Sequence, residues 1–289
     1  MLKSILAAAA MMATAIAAPA HAAETIRFAV TDVDGLEALQ REFGPFKAAF
    51  EEKSGLAVEF FPVSGRTAAV EAMAADQVDF VLTGPAEYIV FRSRLGAEPV
   101  VGWQRPDYFA QIVVLADGPI QSVADLKGKT ISFGEIGSTS QHLGPAQTLK
   151  DFGLVYNTDY TPAFVKRNVA VEALKRGDLG AIGMNFTHLQ TIREKMPDVG
   201  LKVIARGPDL PNDLLLASPK VAPEVVAKVR QAFLDHGAEL MKSVVENTDD
   251  NRKYMGGVFL PTVTDSDYEY VRAMYTTIGI TEFNEFVGE

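Results

Sequence analysis

Cysteine is absent from the 289-residue sequence, so disulfide bonds, thiolate metal sites and a cysteine nucleophile are excluded. Histidine is scarce: three of the four copies, His142, His188 and His236, follow residue 22, and their spacing does not match a metal site. Beyond residue 22 no segment is long and apolar enough to cross a bilayer. The hydrophobic content of 48% and the charged content of 22% are ordinary for a folded soluble protein. The chain therefore has to rely on its apolar core for stability.

Residues 1–22 have the pattern of a secretory signal peptide. Lys3 is followed by an apolar run over residues 5–18 and then by Pro19-Ala-His-Ala22, which ends in an A-x-A cleavage signal. A membrane anchor fits less well, because the run is short and rich in alanine. We therefore expect cleavage after Ala22 and export of a soluble protein.

Positive charge is in the minority. The sequence has 27 Lys and Arg against 37 Asp and Glu, a formal net charge of −10, and removal of Lys3 makes the exported chain more acidic still. This charge argues against nucleic acid or an anionic membrane as partner. An anion site would have to be built locally, against the overall field.

From Glu24 onward, strand patterns alternate with helix patterns, which is typical of an α/β fold. Strands are predicted at 26–30, 56–61, 78–82, 98–102, 109–116, 130–133 and 214–218. Helices are predicted at 36–53 (interrupted at Gly44-Pro45), 67–76, 86–94, 145–152, 223–245 and 265–278. We predict two Rossmann-like lobes with mostly parallel sheets, joined by two chain crossings. Residues 23–108 and 207–289 form the first lobe, and residues 109–206 form the second.

The most informative stretch is Phe133-Gly-Glu-Ile-Gly-Ser-Thr-Ser-Gln-His-Leu-Gly-Pro145, which joins a predicted strand to a predicted helix. Free N–H groups at the positive end of the helix dipole, together with Ser138, Thr139 and Ser140, suit an anion with several oxygens. Alternatively, Ser138 is only an N-cap and Gln141 completes a capping box. His142 either donates to a ligand oxygen or completes the helix start.

An internal repeat places two arginines at equivalent points. Arg66-Thr-Ala-Ala-Val-Glu-Ala72 is matched 101 residues later by Arg167-Asn-Val-Ala-Val-Glu-Ala173. In both copies the arginine opens a predicted helix, from which it could face a cleft shared by the two lobes. The alternative is two unrelated surface arginines.

The chain resembles the phosphonate- and phosphite-binding proteins of ABC importers, which are type II periplasmic binding proteins. The specific signal is Gly137-Ser-Thr-Ser-Gln-His-Leu-Gly-Pro145 together with the upstream Ala124-Asp-Leu-Lys-Gly-Lys129. Weaker support comes from Gly84-Pro-Ala-Glu-Tyr88, Leu210-Pro-Asn-Asp213 and Phe259-Leu-Pro261. The resemblance implies two lobes that close on a small oxyanion, with Ser138, Thr139 and Ser140 on the phosphono oxygens and contacts from Tyr108 and Tyr88.

Three positions depart from the pattern of the relatives. Arg66 stands where relatives often have tyrosine, and Arg167-Asn168 stands where they often have His-Asp. Asn185 replaces the acidic residue that aminophosphonate binders place after the second-lobe strand. The two arginines predict a clamp on a more highly charged anion. The missing carboxylate at Asn185 predicts weaker binding of an amine-bearing ligand.

These features predict a periplasmic solute-binding protein that captures a phosphonate, phosphite, phosphate or similar oxyanion for import by an ABC permease. We expect a monomer without cofactor, metal or catalytic activity. A serine hydrolase is disfavoured, since no strained elbow motif presents a serine. Two alternatives keep the fold: a sensor subunit that reports an oxyanion to a histidine kinase, and a ferric-ion or other anion binder. The tyrosines considered for iron are Tyr88, Tyr108, Tyr254, Tyr268 and Tyr270.

Overall fold

The computed structural model describes residues 24–246 and 250–288, so the predicted signal peptide lies outside the described residues. Eleven named strands form two sheets. They are β1 (Thr25–Val30), β2 (Ala57–Phe60), β3 (Phe80–Thr83), β4 (Glu98–Trp103), β5 (Phe109–Leu115), β6 (Thr130–Phe133), β7 (Thr161–Phe164), β8 (Ala181–Asn185), β9 (Leu201–Asp209), β10 (Asp213–Ala217) and β11 (Phe259–Leu260).

Helices cover the faces of both sheets. The α-helices are α1 (Gly35–Ser54), α2 (Arg66–Ala74), α3 (Pro85–Leu95), α4 (Gly144–Asp151), α5 (Arg167–Arg176), α6 (Phe186–Lys195), α7 (Pro223–Val245) and α8 (Glu269–Thr277). Short 3₁₀ turns lie at Val123–Leu126, Asp250–Tyr254 and Asp265–Tyr268, and a π-helical turn lies at Thr139–Leu143. Within the described residues, no helix has the length and apolarity needed to cross a membrane.

The two sheets confirm the α/β architecture. Most named strands of each sheet run in the same direction: β1, β2, β3 and β4 in the six-stranded sheet, and β6, β7, β8 and β9 in the five-stranded one. The first sheet has the order β11-β4-β10-β3-β1-β2, and the second has the order β7-β6-β8-β5-β9. Parallel pairing is confined to β1 with β2 and β3, and to β6 with β7 and β8. The antiparallel pairs all involve β4, β5, β9 or β10, which carry the chain to or from the other sheet. Two of them, β10 and β5, arrive from the other sheet and insert between the strands of the units β3-α3-β4 and β8-α6-β9, so each runs antiparallel to both of its neighbours.

The chain crosses between the sheets twice. The first crossing joins β4 to β5 through residues 104–108, and the second joins β9 to β10 through residues 210–212. The boundary that the sequence placed at 206/207 therefore falls inside β9. After the return, α8 packs against α3 of the first lobe and also against α4 of the second, so the C-terminal part contacts both lobes.

The predicted break in the first helix is wrong. Helix α1 runs without interruption from Gly35 to Ser54 and contains Pro45. A proline inside a helix removes one backbone hydrogen bond. Here the flanking aromatic side chains compensate, because Phe46 is buried and its ring centroid lies 5.3 Å from Trp103 and 6.1 Å from Phe233. Trp103 thus belongs to the core of the first lobe.

A second apolar cluster lies where the lobes meet. It joins Tyr108 and Leu210, one from each crossing, to Leu143 of the second lobe and to Tyr268 and Tyr275 of the C-terminal part. All five are at most 6% exposed. This cluster fixes the hinge side of the space between the sheets, where polar side chains gather.

Candidate functional site

A polar cavity of about 740 Å³ lies between the two lobes. Its lining includes Thr31, Asp32, Arg66, Gly84 and Glu87 from the first lobe, Arg105, Tyr108 and Asp213 from the crossings and their ends, and Glu135, Ile136, Ser138, Thr139, Ser140, Gln141, Asn185 and His188 from the second lobe. Asp34, Ser64, Gly65, Lys253 and residues 286–288 complete it. The carboxyl ends of β1, β3, β6 and β8 point to this space, as expected for a ligand site in open α/β sheets.

The hydroxyl run forms the start of a helix that opens into the cavity. Residues Thr139–Leu143 form one π-helical turn, in which Leu143 N–H bonds to Ser138 O five residues back at 3.0 Å, and α4 continues from it. No side chain caps this start, so the predicted capping box with Gln141 does not form. Among the described residues, nothing accepts a hydrogen bond from the N–H groups of Thr139, Ser140 and Gln141. Free N–H groups at the positive end of a helix favour an anion.

The three hydroxyls line the cavity but have different partners. Thr139 Oγ1 accepts a hydrogen bond from Ala86 N–H at 3.0 Å, which ties the second lobe to the first turn of α3. Ser140 Oγ accepts from Asn185 Nδ2 at 3.0 Å. The Ser138 hydroxyl has no hydrogen-bond partner among the described residues, so it is the one most free to meet a ligand.

Tyr108 and Asn185 support Ser140 from either side. Burial raises the pKa of Tyr108 to about 12, against the opposing charge of Arg105, whose guanidinium carbon lies 3.8 Å from the ring centroid. The phenol therefore keeps its proton and remains a donor. Asn185 ends β8 and caps α6, since its Oδ1 accepts from His188 N–H at 2.8 Å. Both residues lie on the cavity, as the sequence predicts.

Arg66 lies on the cavity with its guanidinium fully engaged by protein. Its Nε is 2.8 Å from Glu87 Oε1, its Nη2 is 2.6 Å from Glu135 Oε1, and its Nη1 donates to the carbonyl of Ile136 at 3.2 Å. Desolvation alone would lower the pKa of Arg66, but the carboxylates of Glu87 and Glu135 outweigh it and raise the pKa.

Arg167, the other predicted arm of the clamp, is not among the cavity-lining residues. Its Nε is buried without a hydrogen-bond partner, its guanidinium forms no ion pair within the described residues, and burial lowers its pKa. The positive charge of Arg167 acts on the pKa of His188, which does line the cavity. Burial first, and then the charges of Arg167 and Arg105, lower the pKa of His188 to about 3. Of the two predicted arms of the clamp, Arg66 therefore lines the cavity and Arg167 does not.

Two other predicted contacts lie outside the cavity. His142 is 1% exposed, and both ring nitrogens have protein partners: Nδ1 accepts from Gly137 N–H at 3.1 Å, and Nε2 lies 3.0 Å from the hydroxyl of Tyr156. Tyr88 is fully buried and donates to Asp265 Oδ1 at 2.5 Å. Neither arrangement supports direct contact with a ligand.

The tyrosines considered for iron do not converge. Tyr108 is the only one of the five that lines the cavity in the described part of the chain. Tyr254 donates to Asp213 Oδ2 at 2.7 Å, and Tyr268 donates to the carbonyl of Asn212 at 3.0 Å. The ferric-ion alternative thus loses its structural basis.

Sequence reasoning missed most of the charge in the cavity. The described lining carries Asp32, Asp34, Glu87, Glu135 and Asp213 against Arg66, Arg105 and Lys253. Arg105 lies 3.3 Å from Asp213, and Lys253 lies 3.4 Å from Asp32. Glu87 and Asp213 belong to the motifs quoted above, but from those motifs only Tyr88 was predicted to contact the ligand. These carboxylates lie beside the cations that pair with them, so the argument from Asn185, that a ligand amine would lack a counter-charge, stays a prediction.

Burial and neighbouring charges act in opposite directions on two of these acids. Desolvation raises the pKa of Glu87 to about 7, against the charge of Arg66, and Asp32 and Asp213 add to the rise. For Asp32, desolvation would raise the pKa, but Lys253, Arg66 and Arg105 together lower it. Glu87 is thus the acid in this cavity whose protonation changes near neutral pH.

The comparisons with known proteins agree with this geometry. Residues 28–261 match the family described as the periplasmic substrate-binding protein of the phosphonate ABC transporter. The Phosphate-import protein PhnD of Mycolicibacterium smegmatis is 27% identical over 286 residues, which cover 89% of this chain and 86% of that protein. The Phosphonates-binding periplasmic protein of Escherichia coli is 24% identical over 240 residues, which cover 76% of this chain and 69% of that protein. Among solved structures, PhnD1 of Prochlorococcus marinus in complex with methylphosphonate has a TM-score of 0.67 at 15% identity, covering 88% of this chain and 98% of that one, a likeness of fold.

Proposed function

Because the chain belongs to the periplasmic substrate-binding proteins of phosphonate ABC transporters, we propose that its interlobe cavity captures a small phosphonate-type oxyanion and presents it to an ABC permease. The observation that carries the proposal is the uncapped helix start at Thr139–Gln141, whose free N–H groups stand beside the Ser138 hydroxyl on the cavity. An oxyanion accepts hydrogen bonds from both kinds of donor, and the helix dipole adds to its binding.

The rest of the cavity determines the charge of the bound anion and the size of its substituent. The two related proteins from Mycolicibacterium smegmatis and Escherichia coli are named for phosphate import and phosphonate binding. These names point to a phosphate or phosphonate group at the helix start. At about 740 Å³ the cavity leaves room beyond that group. The unpaired Arg167, next to His188, favours a dianionic head group over a monoanionic one.

Ligand binding would act through closure of the lobes. Thr139 and Arg66 already bond across the lobes to Ala86 and Glu135. A ligand held by the second lobe and touched by the first adds to these bonds and shifts the equilibrium towards the closed form, which the permease would recognise. We propose that the ligand is released unchanged and that the protein acts as a monomer.

Isothermal titration calorimetry with phosphate, phosphite, methylphosphonate and sulfate tests the proposal. We expect at least one phosphorus oxyanion to bind with micromolar or tighter affinity, and Ser138→Ala combined with Ser140→Ala to weaken it at least tenfold. Ser93→Ala is the matched control, because Ser93 lies on α3 and bonds to Asn284 outside the cavity. Absence of binding by all four anions, or equal affinity of the double variant, would reject the proposal.

Two further parts of the proposal need separate measurements. Periplasmic members of this family act outside the cytoplasm, and we propose that residues 1–22 direct the export and are then removed. Mass spectrometry of the protein from a periplasmic extract should give the mass of a chain beginning at Ala23. Recovery of unaltered ligand after prolonged incubation, followed by phosphorus NMR, would agree with binding without turnover.

A further inference from the structure

His142 lies directly behind the proposed anion site. Its Nδ1 accepts a hydrogen bond from the N–H of Gly137, the residue immediately before the hydroxyl run. Gly137 has a φ of 77°, in the left-handed region, so the chain turns sharply at this point. The imidazole thus bonds to the backbone of the turn that precedes Ser138 and leads into the helix start.

The direction of the hydrogen bond fixes the state of the ring. Because the amide of Gly137 can only donate, Nδ1 must be unprotonated, and in the neutral imidazole the proton then sits on Nε2. From there it donates to the hydroxyl oxygen of Tyr156 at 3.0 Å. Burial lowers the pKa of His142 to about 4, with no charged side chain contributing, so the ring stays neutral near pH 7.

Aromatic packing holds the ring in this orientation. The ring centroid of Phe164 lies 4.7 Å away and perpendicular, and that of Phe133 lies 5.5 Å away. With 1% exposure the imidazole has no route to a ligand without unpacking this cluster. The π-helical turn puts His142 on the inner side of the helix start, facing back to Gly137.

We propose that His142 is a positioning residue: its neutral Nε2–H tautomer, bonded on the far side to Tyr156, holds the Gly137 amide and so fixes the hydroxyls and free N–H groups in the geometry that binds the oxyanion. This role rests on the proposed function, since it assumes that the anion occupies the helix start. It replaces the direct contact that the sequence predicted for His142. A loop held in advance loses less conformational entropy on binding, which strengthens the complex.

Three variants at position 142 separate positioning from packing. In His142→Asn the side-chain Oδ1 can take the place of Nδ1 as acceptor, whereas in His142→Gln the amide reaches the place of Nε2. His142→Phe retains the ring packing and has no acceptor. By calorimetry with the tightest phosphorus oxyanion, we expect His142→Asn to remain within about threefold of the parent. We expect His142→Phe and His142→Gln to bind at least tenfold more weakly, with thermal midpoints close to that of His142→Asn.

Two readouts do not need a ligand. In the nitrogen NMR spectrum, Nδ1 of His142 should appear unprotonated and Nε2 protonated. Hydrogen exchange at the Gly137 amide should be slow in the parent and in His142→Asn and fast in His142→Phe. If His142→Phe does not fold, Tyr156→Phe replaces it, because it retains the imidazole and removes only the hydroxyl that accepts from Nε2–H and helps to hold the ring in place. Its oxyanion affinity should then be reduced.

The results of these experiments distinguish failure of the positioning role from failure of the proposed function. Equal affinity of the parent and His142→Phe, or equal losses in His142→Asn and His142→Phe, would overturn the positioning role, and so would a protonated Nδ1. If no oxyanion binds to the parent, the proposed function fails, while the tautomer and the exchange of the Gly137 amide still report whether His142 holds the turn.

Discussion

Arg66 and Glu135 form an ion pair across the two lobes, with 2.6 Å between Nη2 and Oε1. Arg66 begins α2 in the first lobe, and Glu135 follows β6 in the second. The same guanidinium holds Glu87 and the carbonyl of Ile136, so it connects three elements of the cavity wall. The two predicted arms of the arginine clamp therefore differ. The guanidinium of Arg66 bonds to protein groups, whereas Nε of Arg167 is buried without a hydrogen-bond partner.

Replacement of Arg66 by lysine should weaken the binding of all ligands to a similar extent. An ammonium keeps the charge but cannot reach Glu87, Glu135 and Ile136 together. The closed arrangement then loses about 1–2 kcal/mol, the range for one or two charge-assisted hydrogen bonds partly screened by solvent. Calorimetry with phosphate and methylphosphonate should give losses that agree within threefold, and Glu135→Gln should reproduce part of them. A loss confined to the more highly charged ligand would instead mean that Arg66 contacts the anion.

Replacement of Arg167 by glutamine should separate stability from binding. Removal of a partly buried and unpaired cation relieves a desolvation cost, so the thermal midpoint should stay the same or rise. Affinity for a dianion should fall at least tenfold, and affinity for a monoanion should fall less. Thermal denaturation and calorimetry on the same samples measure both effects. Asn168→Ala, beside it on α5, is the control. A lower midpoint with unchanged affinity would make Arg167 a structural residue.

The sequence predicted the local structure better than it predicted the side-chain contacts between distant residues. The apolar periodicity predicted α7 at 223–245, where the structure has it, and the hydroxyl run pointed to the cavity wall. The ion pair of Arg66 with Glu135 could not be predicted, because Glu135 is 69 residues away and the two side chains come into contact only when the two lobes pack together. The predicted contact of His142 with a ligand oxygen does not form, because the π-helical turn faces the ring towards Gly137. Long-range pairing and one irregular turn are properties that local patterns do not contain.

The three hydroxyls should not be equivalent in mutagenesis. Thr139→Val removes the acceptor of the Ala86 N–H and leaves that buried donor unsatisfied, which costs about 1–3 kcal/mol. Since the bond crosses between the lobes, the cost should appear as weaker binding of every ligand. Ser138→Ala breaks no bond within the protein, so its effect should vary with the anion. Calorimetry with two anions separates the cases, and affinities equal to that of the parent in Ser138→Ala, Thr139→Val and Ser140→Ala alike would place the anion elsewhere.

A ligand amine should be tolerated, contrary to the argument from Asn185 alone. The described cavity lining has five carboxylates and three Lys or Arg side chains, so an ammonium group finds negative charge nearby. We expect aminoethylphosphonate to bind at least as tightly as ethylphosphonate, and Glu87→Gln to reduce this preference. Competition calorimetry with the two ligands measures the ratio. Binding of the amine at least tenfold weaker than ethylphosphonate would restore the original argument.

Glu87 should make stability depend on pH between about 4.5 and 7. Burial raises its pKa from 4.5 to about 7 in the folded protein, so in this window the folded state binds more protons at Glu87 than the unfolded chain does. Its contribution to the free energy of unfolding is therefore complete below pH 4.5 and is lost as the pH rises to 7. The loss is up to about 3 kcal/mol for a shift of this size.

Urea denaturation of the parent and of Glu87→Gln at several pH values tests this, because glutamine cannot titrate. The free energy of unfolding of the variant, taken relative to that of the parent, should increase as the pH rises from 4.5 to 7. His142 and His188 titrate in both proteins and cancel in the difference. Arg66 lies 2.8 Å from Glu87 and opposes the shift. Two curves that run parallel through the window would therefore mean that this ion pair offsets the effect of burial and leaves the pKa of Glu87 where it is in the unfolded chain.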